Sequence, residues 1–130
     1  MIAIDTSALM AILLEEVHGI ACEKAIERAG RRLISAGTIA ECLIVANRRH
    51  LTGPMENLLS IVVTETIELN QARAERTAAA YQRFGKGIHP ASLNFGDCFS
   101  YATAKEFDCP LLYVGDDFAR TDVRSALAAA

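Results

Sequence analysis

The sequence predicts an α/β fold in which a parallel sheet is covered by helices on both faces. Three observations carry this. Short apolar runs of strand type recur at residues 2–4, 31–35, 64–69 and 111–114. Helical stretches separate each run from the next, which is the alternation of parallel strands with helical crossovers. The chain has 130 residues and 52% of them are hydrophobic. That supports one packed core and not two, so a single domain over residues 1–130 is expected.

Each element has a local cause. Ile2, Ala3 and Ile4 end abruptly in Asp5-Thr6-Ser7, a buried strand running into a helix start with Thr6 or Ser7 as N-cap. Residues 8–16 continue as helix. Residues 17–29 form a second, with Ile20, Ala21, Lys24, Ala25 and Arg28 at helical spacing and Gly30 as its stop. The second strand, 31–35, leads through Gly37-Thr38 into a helix reaching about His50. Leu51-Thr52-Gly53-Pro54 is a turn whose proline starts a helix from Met55 to about Ile61. Threonine and isoleucine alternating within 64–69 predict the third strand. Asn70 caps a long helix over 71–84, and Gly85 to Pro90 is a loop. A helix over 94–107 is stopped by Asp108 and Pro110. The fourth strand, 111–114, runs into Gly115-Asp116-Asp117-Phe118, and a short terminal helix is expected over 121–130.

Composition excludes several functions. A net charge of −3 does not advertise nucleic-acid binding through bulk charge, so any such contact needs a local basic patch. The cysteines, Cys22, Cys42, Cys98 and Cys109, form no C-x-x-C pair and stand beside no histidine cluster, which argues against zinc. Cys42 and Cys98 lie in apolar helical stretches and are expected to be small buried hydrophobes. Together with the lack of a disulfide framework they indicate a reducing compartment. The first residues carry no basic leader, and the apolar run from Ala8 to Leu14 is broken by Glu15 and Glu16, too short to span a membrane. A cytoplasmic location is expected.

The chemistry lies in the acids. In open α/β sheets functional groups collect outside the carboxyl ends of the strands. Asp5 follows the first strand, Glu41 lies early in the helix after the second, and Asp116 and Asp117 follow the fourth. Asp97, near the start of the helix before that strand, joins them if its helix begins at the same rim. Carboxylates gathered there repel one another, and a divalent cation resolves the conflict. Mg²⁺ takes oxygen ligands and keeps several waters, and Mn²⁺ fits the same donors. Such an ion activates water and stabilises in-line attack on a phosphate. Each acid also has a plain structural reading. Thr38-Ile39-Ala40-Glu41 fits a capping box, Asp97 suits the helix dipole, and Asp116-Asp117 suits a turn. An acid ending an apolar strand, as Asp5 does, is partly buried and needs a partner.

With these segments in hand, the chain resembles the PIN-domain nucleases, and within them the VapC-type toxins of type II toxin–antitoxin systems. Ile4-Asp5-Thr6-Ser7-Ala8-Leu9 resembles the family's opening, and Ala40-Glu41 its second acidic position. The segment from Leu93 to Ala102, Leu-Asn-Phe-Gly-Asp-Cys-Phe-Ser-Tyr-Ala, resembles the third-acid segment of the toxin branch. Leu111 to Phe118 resembles its closing motif, continued by Thr121-Asp122-Val123, and Phe84-Gly85-Lys86-Gly87 is similar to the stretch before the third acid. The resemblance implies a three-layer α/β/α sandwich around a mostly parallel sheet of four to five strands, with Mg²⁺-dependent cleavage of RNA. Asp5, Glu41 and Asp97 would be the principal carboxylates. Relatives usually carry Gly-Asn-Asp-Phe where this chain has Gly-Asp-Asp-Phe, so Asp117 matches the recurring acid and Asp116 fills a variable slot. Thr6 or Ser7 would hydrogen-bond a metal-bound water or a phosphate oxygen. The resemblance also implies a small antitoxin that places an arginine among the carboxylates, and a homodimer or toxin–antitoxin hetero-oligomer.

An acidic rim needs cations nearby to admit RNA. Candidates are Arg48-Arg49-His50, Lys86, His89 and the Arg73, Arg76 and Arg83 row, with Lys86 and Arg49 foremost, although basic residues at helix ends also answer the dipole. With no tryptophan and 6% aromatics, no stacking platform for single strands is expected. Ile12, Leu13, Leu43 and Leu58 are available for a dimer surface or for the core. Three alternatives compete: a receiver-like phosphoryl-transfer domain, a catalytically silent binding module, and a non-toxin RNA-processing nuclease. The first lacks an aspartate after its third strand and a lysine beyond Lys105. The acidic positions are all filled, which argues against the second.

Overall fold

Backbone pairing sets the frame of the computed structural model, which describes residues 1–127. Strands β1 (Ile2–Ile4), β2 (Arg32–Ser35), β3 (Glu65–Ile67) and β4 (Leu111–Leu112) lie parallel in the order β3-β2-β1-β4. Helices α1 (Thr6–Leu13), α2 (Gly19–Arg28), α3 (Ala36–Arg48) and α4 (Thr52–Val62) connect the first three strands; α5 (Gln71–Phe84) and α6 (Phe95–Glu106) precede the fourth. A 3₁₀ turn, Phe118–Arg120, follows β4.

Burial on both faces explains why the strands are apolar runs instead of alternating ones. Ile2, Ile4, Ile34 and Leu112 point into one core with residues of α1 to α4, including Leu9, Cys22, Cys42 and Met55. Ala3, Leu33, Ile67 and Leu111 point into the other with Phe84, Cys98 and Tyr101 of α5 and α6. The result is the expected α/β/α sandwich. Ile12, Leu13, Leu43 and Leu58 are partly buried against the first core. All four cysteines are buried and free. Among the described residues no helix is long and apolar enough to cross a membrane.

The terminal helix expected over 121–130 is not formed in its described part; residues 128–130 lie outside the described residues. Leu111 stands at the sheet edge, where its amide and carbonyl need partners. The tail supplies them: Leu111 donates to the Arg124 carbonyl (2.8 Å) and Ala126 donates back to Leu111 (2.9 Å). Asp122 pins the tail by accepting from the Tyr101 hydroxyl (2.5 Å) and facing Lys105 (3.3 Å) and Arg83 (3.5 Å). Edge pairing thus takes residues 124–126 out of the expected helix.

Candidate metal centre

Each strand delivers its acid by a local device. Asp5 leaves β1 in extended conformation and is itself the N-cap of α1, in place of the expected Thr6 or Ser7. Its Oδ2 accepts from the Ser7 amide (3.0 Å) and the Ser7 hydroxyl (2.7 Å). That hydroxyl accepts in turn from the Val114 amide (3.0 Å), so the end of β4 is tied to the first acid. The other oxygen, Oδ1, accepts from the Ser100 hydroxyl at 2.6 Å, and Ser100 stands 3.2 Å from the Thr38 hydroxyl. This contact puts the first turns of α6 beside the carboxyl end of β1 and settles which rim the helix starts from.

Glu41 is not a capping-box residue. Ser35 at the end of β2 caps α3 through the Gly37 amide (3.1 Å), which leaves Glu41 on the helix flank. There Oε1 accepts from the buried Thr6 hydroxyl at 2.5 Å. The carboxylate lies so close to Gly96 that a methyl group on that residue would overlap its Oε2 and come within 2.5 Å of Cδ. Asp97 does fill a capping box: its amide donates to Asn94 Oδ1 (2.8 Å), and its Oδ2 accepts from the Asn94 amide (3.0 Å). The structural reading of Asp97 is therefore true and leaves its other oxygen for the rim.

The electrostatics show that the acids sense one another. Burial raises the Asp97 carboxyl to about 7, and the charges of Asp5, Asp117 and Glu41 add to the rise. Burial also raises Asp5, against the hydrogen bonds from Ser100 and Ser7. Glu41 is raised by burial and by Asp5, against the Thr6 bond. No lysine or arginine among the described residues pairs with any of them. Asp116 and Asp117 are both exposed. Asp117 adds to the field at Asp97, and Asp116 lines a neighbouring hollow with His18 and Tyr113.

An all-oxygen, anionic, cation-poor rim fits a hard divalent ion. The acids face one another without closing into a cage: among the described residues no three Asp, Glu, His or Cys side chains stand at metal-ligating spacing. Hydrogen bonds from Ser7, Ser100, Thr6 and Asn94 hold oxygens of Asp5, Glu41 and Asp97 in place, and Mg²⁺ binds few protein groups directly. Ser100 and Thr38 are site residues that the sequence reading did not single out. The available signal was a hydroxyl three residues after Asp97, on the same helix face.

The raised Asp97 has a consequence for stability. The folded chain holds this proton more tightly than the unfolded chain, so stability falls as pH rises from about 4 to about 7. In EDTA, the melting temperature of wild type is expected to drop relative to Asp97→Asn between about pH 4 and about pH 7 and to level off above that. A difference that stays flat with pH would remove Asp97 from the strained set.

Of the remaining candidates, Thr6 and Ser7 touch the acids themselves and the basic residues lie farther out. Thr6 and Ser7 use their hydroxyls on Glu41 and Asp5. Lys86 is exposed, and its amide donates to the Leu93 carbonyl (2.9 Å), next to the Asn94 cap of α6. Arg49 is the C-cap of α3, roughly 12 Å beyond Glu41 along the helix axis. His89 turns its Nδ1 inward to accept from the Ala91 amide (3.0 Å). Arg73 and Arg76 pair with Glu106 (3.0 and 2.8 Å), and Arg83 faces Asp122.

Comparison with known proteins is consistent across sequence and fold. The PIN-domain family model matches residues 2–124. Ribonuclease VapC36 of Mycobacterium tuberculosis is 42% identical over 126 residues, covering 92% of this chain and 89% of that protein. Ribonuclease VapC28 of the same species is 42% identical over 130 residues, covering 95% and 96%. Among solved structures, VapC20 of M. tuberculosis, described as a sarcin-ricin loop cleaving toxin, aligns with a TM-score of 0.74 at 18% identity, covering 95% and 96%. A chain of a toxin–antitoxin complex from Klebsiella pneumoniae aligns with a TM-score of 0.69 at 24% identity, covering 94% and 93%. These two likenesses speak to the fold.

Proposed function

The chain belongs to the PIN-domain family, and on that premise we propose that it is a metal-dependent endoribonuclease, the RNA-cleaving toxin of a toxin–antitoxin pair. The observation that carries the reading is the rim of Asp5, Glu41, Asp97 and Asp117, where burial raises the first three and neighbouring carboxylates add to the rise at Glu41 and Asp97, with no cation paired to them among the described residues. Relatives named ribonucleases at 42% identity over most of the chain support it.

Asp5 and Asp97 would hold Mg²⁺, or Mn²⁺ in its place, with Glu41 and Asp117 near its waters. Such an ion lowers the pKa of a bound water and offsets charge growing on the phosphate. The chain's own residues prepare that site. Ser7 and Ser100 fix both oxygens of Asp5. Thr6 holds Glu41 against Gly96, from where its second oxygen would bind through a metal water or orient the attacking one. The N-terminus of α6 presents its positive end to a phosphate. Asp116, Thr6, Ser7, Lys86 and Arg49 are proposed as lesser contributors, Lys86 and Arg49 through phosphate contacts. Attack by water leaves 5′-phosphate and 3′-hydroxyl ends. An antitoxin arginine inserted among the carboxylates would neutralise the rim and silence it, in a cytoplasmic hetero-oligomer or beside a toxin homodimer.

The test is cleavage of pooled cellular RNA by purified protein, wild type beside Asp5→Asn, in Mg²⁺ and in EDTA. Discrete cuts with 5′-phosphate ends that need both the ion and Asp5 are expected. Products ending in 2′,3′-cyclic phosphate would rule out the water route. Equal cleavage by both proteins would place the activity elsewhere.

A further inference from the structure

Beside the acidic rim runs a groove of about 550 Å³ between α3 and the start of α6. Ile44, Leu69, Phe95 and Phe99 line it, with Glu41 and Gly96 at its rim end and Arg48 farther along α3. Glu41 and Arg48 stand seven residues apart on α3, roughly 10 Å along its axis. Phe95, the first residue of α6, is 70% exposed. Such exposure is unusual for a phenyl ring, and this one is held in place. It meets Phe99 edge-on at 4.9 Å between ring centroids. Phe99 is itself fixed flat on α3, since a methyl group on Gly37 would come within 2.5–2.7 Å of its ring. The exposed face is thus pre-organised, which lowers the cost of binding on it.

Resting on the ribonuclease reading, we infer that this groove is a nucleobase subsite: Phe95 stacks on an unpaired base next to the cleaved phosphate, and Arg48 takes a neighbouring phosphate. The charge pattern selects this occupant. A strand that leaves the rim along this groove passes Gly96 and the phenyl face, and the next cation along that path is Arg48. It forms no ion pair among the described residues. Stacking on an aromatic ring tolerates any base, since every base has a π-face. The subsite therefore favours unpaired over paired RNA without dictating sequence. The low aromatic content argued against a stacking surface. Two of the five phenylalanines suffice because α6 brings them to the rim.

The test compares wild type, Phe95→Ala and Phe95→Tyr as full-length proteins. One arm measures cleavage in Mg²⁺ of the RNA cut in the pooled digest, unmodified and with each nucleotide flanking the cut made abasic. The other measures binding of a labelled single-stranded oligoadenylate and of an abasic strand by fluorescence anisotropy in EDTA. Phe95→Ala is expected to raise KM and weaken oligoadenylate binding by about 5- to 100-fold. Phe95→Tyr should restore both, and abasic strands should not distinguish the variants. The loss is expected in KM and not in kcat. Melting temperatures should agree, since the ring is exposed. Unchanged RNA binding and KM in Phe95→Ala would overturn the subsite. So would an effect confined to self-association or to capture of an antitoxin, which would make the groove a protein interface. Phe95-dependent binding without any cleavage would retain the groove and sink the nuclease reading. Cleavage indifferent to Phe95 would do the reverse.

Discussion

Replacing Asp97 with asparagine is expected to lower metal-dependent RNA cleavage by on the order of 10²–10³-fold while leaving the fold intact. The two effects separate because Asp97 does two jobs with two oxygens. One accepts from the Asn94 amide and closes the capping box at the start of α6. An asparagine amide oxygen can accept the same bond, so the helix keeps its cap. The other faces a rim where Asp5, Glu41 and Asp117 already oppose its ionisation. The amide ends that repulsion and removes a negative ligand together. The variant should therefore melt higher than wild type in EDTA at neutral pH, and that advantage should shrink when Mg²⁺ is added. Single-turnover cleavage and paired melts check both halves. Activity within about tenfold of wild type, at saturating Mg²⁺, would take Asp97 out of the metal site.

The second large effect is expected at Gly96, a residue with no functional group. Its Cα hydrogen faces the Glu41 carboxylate so closely that a Cβ would overlap Oε2. Gly96 is fixed in the first turn of α6, and Glu41 can withdraw only by giving up its hydrogen bond from the buried Thr6. Gly96→Ala is expected to push Glu41 off its position, cutting turnover by about 10- to 100-fold and costing about 1–3 kcal/mol by overpacking. The cycle with Glu41→Ala tests the cause. In that background the clash has no partner, so Gly96→Ala should become nearly neutral for stability and improve helix propensity. Equal destabilisation by Gly96→Ala in both backgrounds would mean that the helix start, and not Glu41, requires glycine.

Ser100 and Thr38 explain how buried acids are tolerated before any ion arrives. Asp5 sits between two hydroxyl donors on different elements, Ser7 and Ser100, and Ser100 leans on Thr38 of α3. These bonds lower the Asp5 carboxyl against the rise from burial. They also link β1, α3, β4 and α6, so positioning of the site and packing of the sandwich are one network.

Some of this was determined by the sequence alone. The apolar runs and intervening helical stretches specify a parallel sheet covered on both faces, because backbone pairing and two-sided burial leave few other arrangements. Strand-end placement specifies that Asp5, Glu41 and an aspartate of the 116–117 pair share a rim. Other features were decided only by tertiary structure. Whether Glu41 capped its helix or faced the rim depended on Ser35 taking the cap first. Whether Asp97 reached that rim depended on where α6 begins, which no local pattern encodes. The tail over 121–127 reads as helix by composition but is claimed by the open edge at Leu111. Ser100, Gly96 and Phe95 look ordinary in one dimension. Their roles arise from what packing sets opposite them, and a chain pattern records a residue's periodicity, not its neighbours across the fold.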